Sequence, residues 1–532
     1  MPRALRGAYV AMATLCLALP AVIGAQSDAP RESPGVTRPA VAESSALRAG
    51  TVVRRRARRH VRRARAEAPL RYRRPMGAEA LADDLGAMLR ARVRSGAWGA
   101  LVVSLSRGDT IFAYDPDAEL RPASNMKLFT TAIALQEFGP GHEFNTDVFR
   151  TGPIDPDGTL HGDLVVRGDG DPSISRRFYD GGAAAAMAQL AGSIAAAGVK
   201  RVTGALIADA SAFDPQRIPE GWKTRYLQAG YAARVSALSL NENLATVVIQ
   251  PGRSGGPASV SLDPPTDMPL RASVRTVAGR GARIMAHSTD GGAIEVRGWI
   301  GSRAGIRGYQ VVVEDPTAFA AGALRRAIEA RGITFGAPTR YAATPAGAIP
   351  VASLPSPPLA QLIAVMNRES INHYAELLFR DAGRKAAPGA VGSVESGDSL
   401  LQRFLTHDVG ASPGSVVATD GSGLSVLDRV TPRALVQLLA YANRAPWGDA
   451  FHASLPVAGE SELLKHRMRY TPAQGNLHAK TGTTNDVISL GGYVTARDGE
   501  LLAFAFIYNG RDRWNAKTTI DAMGATLASF VR

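Results

Sequence analysis

Apolar positions recur along this chain with two different periods, and the places where the period changes divide it into parts. In AEALADDLGAMLRARV, Leu81, Leu85 and Leu89 fall on one stripe, the spacing of a helix with one buried face. WGALVVSLSRGDTIFAYDP (98–116) reads as two strands joined by a turn at Arg107–Asp109. An apolar helix follows, approached through Pro122 and containing LFTTAIAL. From 150 to about 315 the period is mostly two: LHGDLVVRG, RVTGALIAD and LATVVIQPG are separated by Gly/Pro turns, and one Ala-rich helix interrupts near 183–197. Helical spacing returns in TAFAAGALRRAIEARG and PPLAQLIAVMNRESINHYAELLFRDAG. The chain closes with KTGTTNDVISLGGYVTARDGELLAFAFIYNG, read as strand, loop and hairpin, and a last helix, TIDAMGATLASFVR. A length of 532 residues is too great for one core. The pattern predicts an α/β (α+β) body, 76–149 and 316–532, split by a β-rich insertion over 150–315 that forms one or two extra domains.

The first 75 residues carry no such periodicity. MPRALRGAYVAMATLCLALPAVIGA has a basic start, an apolar run from Ala8 to Ile23 and small residues after it, which predicts a signal peptide cleaved after Ala25 and an exported, periplasmic or envelope-associated protein. The run is shorter than the ~20 residues needed to span a bilayer. Residues 26–75 read as a disordered linker containing an Arg-rich stretch. The net charge of +14 is concentrated there: residues 51–74 hold eleven Arg against one Glu. Arg54–Arg74 is therefore expected to touch anionic wall or membrane, with a solvated tail as the bland alternative. Nucleic acid is not expected of an exported chain. The only cysteine, Cys16, lies within the apolar run, so disulfides, thiol catalysis and Cys–metal sites are excluded from the rest. The nine His show no H-x-x-x-H spacing, so neither a metal nor a cofactor is expected.

Arg outnumbers Lys heavily: the chain has only seven Lys. Two of the seven lie in motifs. Ser124 and Lys127 are spaced i, i+3 and share a helix face. An amine buried among apolar neighbours loses its proton more readily and can activate a hydroxyl. With 34 Ser and seven Lys, chance alone yields about 0.4 such pairs, so this spacing decides nothing by itself. Lys480-Thr481-Gly482 opens a predicted strand; the Lys offers positive charge, the Thr hydroxyl a carboxylate contact and the Gly close approach. Ser370 and Asn372 offer a proton relay and an amide clamp. Three elements of these kinds in this order form the set used by serine β-lactamases and penicillin-binding proteins. His373 and His478 flank two of them and read as packing residues. GDSL at 397–400 continues into a helical pattern and reads as no lipase signature.

With these motifs the chain resembles the class C low-molecular-mass penicillin-binding proteins, the D-alanyl-D-alanine carboxypeptidase/endopeptidase group, from about residue 80 to the end. The long interval between Ser124 and Ser370 fits that group's inserted domains. DASAFDP at 209–215, GW at 221, SALSLNEN at 236–243 and TDGSGLS at 419–425 add to the likeness. Ile371 stands where related enzymes often have Asp. The resemblance implies a serine β-lactamase/transpeptidase-like catalytic domain and a serine DD-peptidase acting on peptidoglycan stem peptides or crosslinks. Ser124 is then the nucleophile, Lys127 its base, Ser370 a proton shuttle, Asn372 a substrate-amide holder and Lys480 a source of positive potential. Thr481, Gly482 and Thr483 would line the substrate, and the amides of Ser124 and Thr483 would form an oxyanion hole. β-Lactams would acylate Ser124. An esterase or β-lactamase on the same fold, or a noncatalytic wall-binding protein, are the alternatives. Carboxypeptidase and endopeptidase action use the same groups and stay undivided here.

Overall fold

The computed structural model describes residues 70–93 and 95–532. The predicted signal peptide, the linker and most of the Arg-rich stretch lie outside the described residues.

A long apolar run near the end of the chain, LLAFAFIYN, forms the strand Leu501–Asn509 at the centre of a five-stranded sheet. The sheet order is His478–Thr483, Val487–Thr495, Leu501–Asn509, Ala97–Ser104 and Thr110–Tyr114, all antiparallel. A central strand covered on both faces needs apolar residues at every position. Phe504, Phe506 and Tyr508 pack with Leu81, Leu85 and Leu89 of the helix Ala78–Arg92 and with Ile520 and Met523 of the helix Arg513–Ser529. Ala503, Ala505 and Ile507 face the other way, toward the helix Met126–Phe138 and the helices between 359 and 453. The two-strand reading of 98–116 and the Leu81–Leu85–Leu89 stripe are both realised.

Between the first two motifs the strands make sheets of their own. Asn145–Arg150, Leu164–Gly168, Leu206–Asp209, Arg340–Tyr341 and Ile349–Pro355 form a second five-stranded sheet. Leu270–Val277, Ala282–Ser288 and Ile294–Gly301 form a three-stranded sheet, and Leu244–Gln250, Ser259–Asp263 and Arg307–Val312 form another. One apolar core joins them, and it also holds Val148 and Leu354 together with Phe319, Leu324 and Ile328 of the helix Pro316–Glu329. We therefore propose to draw the inserted module over 145–355 rather than 150–315. The helical period at 316 signals a change of element; the face that helix buries belongs to a core made by strands on both sides of it in the chain.

The helix Pro316–Glu329 is well specified: Asp315 accepts from the Ala318 amide at 3.0 Å and Pro316 opens the first turn. Its Phe319 is fully buried. Phe319→Ala is expected to cost about 3–5 kcal/mol of stability. Denaturant unfolding of the variant checks this, and a loss below about 1 kcal/mol would mean the helix does not anchor the module.

Candidate active site

The Ser124 turn is shaped by its flanks. Pro122 leads into a single 3₁₀ turn, Ala123–Asn125, and the helix Met126–Phe138 continues from it. Ala123 takes φ of +46°, a conformation that costs an L-residue energy and persists because neighbours on both sides fix it. On one side Ser489 Oγ donates to the Pro122 carbonyl at 2.7 Å. On the other, Gly423 packs so close that a Cβ there would sit 1.8 Å from the Ala123 carbonyl oxygen. Gly482 meets the same turn, since a Cβ on it would lie 2.7 Å from the Pro122 oxygen and 2.1 Å from Ser489 Oγ. The glycine of the Lys-Thr-Gly stretch is what lets that strand lie against the serine.

Lys127 lies fully buried one turn on, with its Nζ 3.1 Å from Ser124 Oγ. The same nitrogen is 2.6 Å from Asn372 Oδ1 and 2.7 Å from the Ser422 carbonyl oxygen. The last two are pure acceptors. A neutral amine has two N–H groups and one lone pair, so when both N–H groups go to these oxygens the lone pair is left for the Ser124 hydroxyl. Burial pushes the Lys127 pKa down to about 7, against the opposing pull of Asp420, Glu376 and Asp428. The arrangement provides a general base of suitable strength aimed at one hydroxyl.

Ser370 ends the helix Leu359–Glu369 in a left-handed conformation, φ +59°, and Asn372 starts the helix Asn372–Ala386. That break lets the two side chains serve two different lysines. Ser370 Oγ accepts from Lys480 Nζ at 2.9 Å. Lys480 is also fully buried, and its other partner is the Thr481 carbonyl at 2.9 Å. Burial first, and Lys127 second, push its pKa well below the ordinary lysine value. No carboxylate pairs with it among the described residues, so the positive charge expected at Lys480 has no internal counter-ion. Thr481 is buried and Thr483 is exposed at the strand end. The cleft beside the turn is lined by Ala123, Lys223, Tyr226, Leu424, Thr484 and Asp486.

Several residues that hold this centre were not singled out from the sequence. Asp420 accepts from the amides of Ser422, Gly423 and Ser425 at 2.9, 2.6 and 2.8 Å and from Trp222 Nε1 at 2.7 Å. Its carboxylate is the hub around which TDGSGLS folds, and that fold presents the Ser422 carbonyl to Lys127. Gly421 is fixed from below by Glu376, whose Oε1 accepts its amide at 3.1 Å while Oε2 pairs with the fully buried Arg380 at 2.9 Å. Asn372 Nδ2 donates to the Tyr231 carbonyl at 2.8 Å. The resemblance assigns the Asn372 amide to the substrate; here both of its ends are already engaged, one with Lys127. The stretches GW and TDGSGLS carried the signal for Trp222 and Asp420, but neither stretch contains a residue type that announces chemistry. His373 bonds to Asn243 Nδ2 at 3.1 Å, and the ring of His478 lies tilted against that of His452 with centroids 4.5 Å apart.

A family model for the D-Ala-D-Ala carboxypeptidase 3 (S13) family matches residues 81–530. The chain belongs to that family. It is 32% identical over 468 residues, 85% of each chain, to a D-alanyl-D-alanine carboxypeptidase of Actinomadura sp. (strain R39). It is 25% identical over 428 residues, 77% of this chain and 85% of the other, to the D-alanyl-D-alanine carboxypeptidase DacB of Haemophilus influenzae. The crystal structure of penicillin binding protein 4 from Haemophilus influenzae superposes with a TM-score of 0.72 at 22% identity, covering 84% of this chain and 99% of that one. A second structure of that protein, complexed with a β-lactam, has a TM-score of 0.67 at 21% identity. The S13 chain is thus a serine peptidase of the D-alanyl-D-alanine carboxypeptidase type, with the transpeptidase-like fold that its motifs imply.

Gly423→Ala is expected to push the Ala123 carbonyl, and Ser124 with it, out of place. A displacement of about 1 Å in a reacting group costs on the order of 10²-fold in rate. Labelling by fluorescent penicillin, with thermal unfolding run alongside, checks this; a well-folded variant labelled at the wild-type rate would show that the turn has slack.

Proposed function

We propose that this chain hydrolyses the bond after a D-alanine in peptidoglycan stem peptides or crosslinks through an acyl-enzyme on Ser124. The observation that carries the reading is the Lys127 nitrogen, 3.1 Å from Ser124 Oγ with two carbonyl-type acceptors on its remaining sides. Lys127 takes the hydroxyl proton as Ser124 attacks the scissile carbonyl. The amides of Ser124 and Thr483 receive the oxyanion. Ser370 passes a proton to the departing nitrogen, and water later releases the acyl group. A β-lactam follows the first half of this path and stays on Ser124.

Lys480 acts through the substrate. A terminal carboxylate arriving beside its amine supplies the missing counter-ion and favours the protonated form. That new positive charge then raises the cost of protonating Lys127, its neighbour. Substrate binding and activation of the base are coupled in this way. The apolar leader implies export to the cell envelope, and the basic stretch 54–74 implies contact with an anionic surface there.

Lys127→Arg is expected to abolish acylation, because Arg stays protonated at every workable pH; fluorescent penicillin labelling measures it. The wild-type acylation rate should rise as pH climbs through about 7 and fall away below it, since the neutral amine is the active form and burial sets its pKa near that value. A rate flat from pH 5 to 9 would exclude Lys127 as the base. Digestion of purified crosslinked and uncrosslinked muropeptides, with products weighed by mass spectrometry, tests the activity itself and divides endopeptidase from carboxypeptidase action. No D-alanine and no monomer from either would overturn the proposed function.

A further inference from the structure

The three-stranded sheet of Leu270–Val277, Ile294–Gly301 and Ala282–Ser288 buries one face only. Alternation sends Val274, Ile294, Val296 and Ile300 into the module's core. The opposite positions face out, and pairing sets them in rows. Arg275 is registered against Trp299, and Trp299 against Arg283. Antiparallel pairing puts the Trp299 and Arg283 Cβ atoms about 4.5–5.5 Å apart, and Arg275 is the parallel neighbour on the other side. One row across the sheet therefore reads Arg–Trp–Arg, with Arg297 two residues away on the central strand.

Two features separate this row from an ordinary solvated surface. First, the indole is 39% exposed although it sits on the central strand, where a neighbour on each side was available to cover it. Second, the arginines beside it have no counter-ion. The outward carboxylate of this sheet, Glu295, pairs with Arg297 at 3.0 Å and Arg271 at 3.7 Å. Arg275 and Arg283 make no ion pair among the described residues. Residues 251–310 hold eight Arg against four carboxylates, so the imbalance extends around the row.

A flat apolar plate between two guanidinium forks matches a particular chemistry. The C–H face of a pyranose ring covers an indole. Guanidinium forks bind carboxylates or phosphates in two-pronged fashion. A bilayer would want several apolar groups around the indole; Met285, registered against Arg297, is one further exposed apolar side chain on this face, while the row itself supplies charges. We infer that this face binds an acidic glycan strand, with sugar rings on Trp299 and their anionic groups held by Arg275 and Arg283. This rests on the proposed peptidase reading for the source of the glycan: such a face would hold a wall polymer while its peptide branches enter the cleft.

The full chain is titrated with polygalacturonate, neutral dextran and phosphatidylglycerol vesicles while tryptophan emission is recorded. Polygalacturonate should produce a saturable change that is absent in Trp299→Phe and displaced at least tenfold to higher concentration in Arg275→Glu/Arg283→Glu. Dextran and vesicles should produce no change that depends on Trp299. Turnover of a small D-Ala-D-Ala peptide should stay within twofold in both variants, which also reports that they are folded. The inference is overturned if no part of the emission change depends on Trp299, if the double variant titrates like wild type, or if vesicles reproduce the change. Peptide turnover is a separate readout: its absence in the wild-type chain would overturn the peptidase reading and leave the glycan result standing.

Discussion

A buried amine is the constraint around which the catalytic body is arranged. Lys127 has no solvent contact, and an ammonium placed there without compensation would cost several kcal/mol. Such a group either neutralises or recruits partners. This site does some of each. Desolvation drives the proton off, while Asp420, Glu376 and Asp428 pull toward keeping it, and the balance leaves Lys127 near neutrality. A site with no carboxylates beneath it would hold a permanently neutral amine too weak to accept a proton usefully. One with a directly paired carboxylate would hold a permanent ammonium. The carboxylates here act at one remove: Asp420 accepts the amide of Ser422, whose carbonyl meets Lys127, and Glu376 accepts the amide of the neighbouring Gly421.

Two of those supports come from outside the catalytic body's own sequence segments. Trp222 bonds to Asp420, and the Tyr231 carbonyl accepts from Asn372, whose other end accepts from Lys127. Both donors of support belong to the long stretch between Ser124 and Ser370. The insertion is therefore joined to the chemistry through two short hydrogen-bond paths, and its packing errors would be felt at the base. The same stretch carries Tyr231, 43% exposed, and Lys223 at the cleft. It contributes both to holding the base and to shaping the room available to substrate.

What could be read in the sequence follows from how local its cause was. Ser124 and Lys127 are three residues apart on one helix, so their contact needed no knowledge of the fold. Leu501–Asn509 declared itself by nine residues with hardly a polar atom. Gly482 was legible as a site of close approach, though what approaches it, the Ser124 turn, was not. The boundary read at 316 and the one proposed from the core differ because a helical period reports an element and not the partner of its buried face; Phe319 shares its core with Val148, earlier in the chain, and Leu354, later in it. Asp420 and Trp222 were visible only as parts of two stretches of family likeness, with no role attached, because their meeting joins positions 198 apart. An aspartate that folds a loop looks, in sequence, like any other turn aspartate.

The pairing of two lysines in one pocket carries the argument one step further. Lys480 and Lys127 are each stripped of water, and Lys127 lowers the tendency of Lys480 to hold a proton. In the free protein the carboxylates lie beneath Lys127 and none pairs with Lys480 among the described residues. A ligand carboxylate beside Lys480 would supply that missing counter-ion and favour its protonated form. Under the proposed mechanism the base would be most available when a substrate carboxylate is in place beside Lys480, so that substrate binding itself would help to activate Ser124.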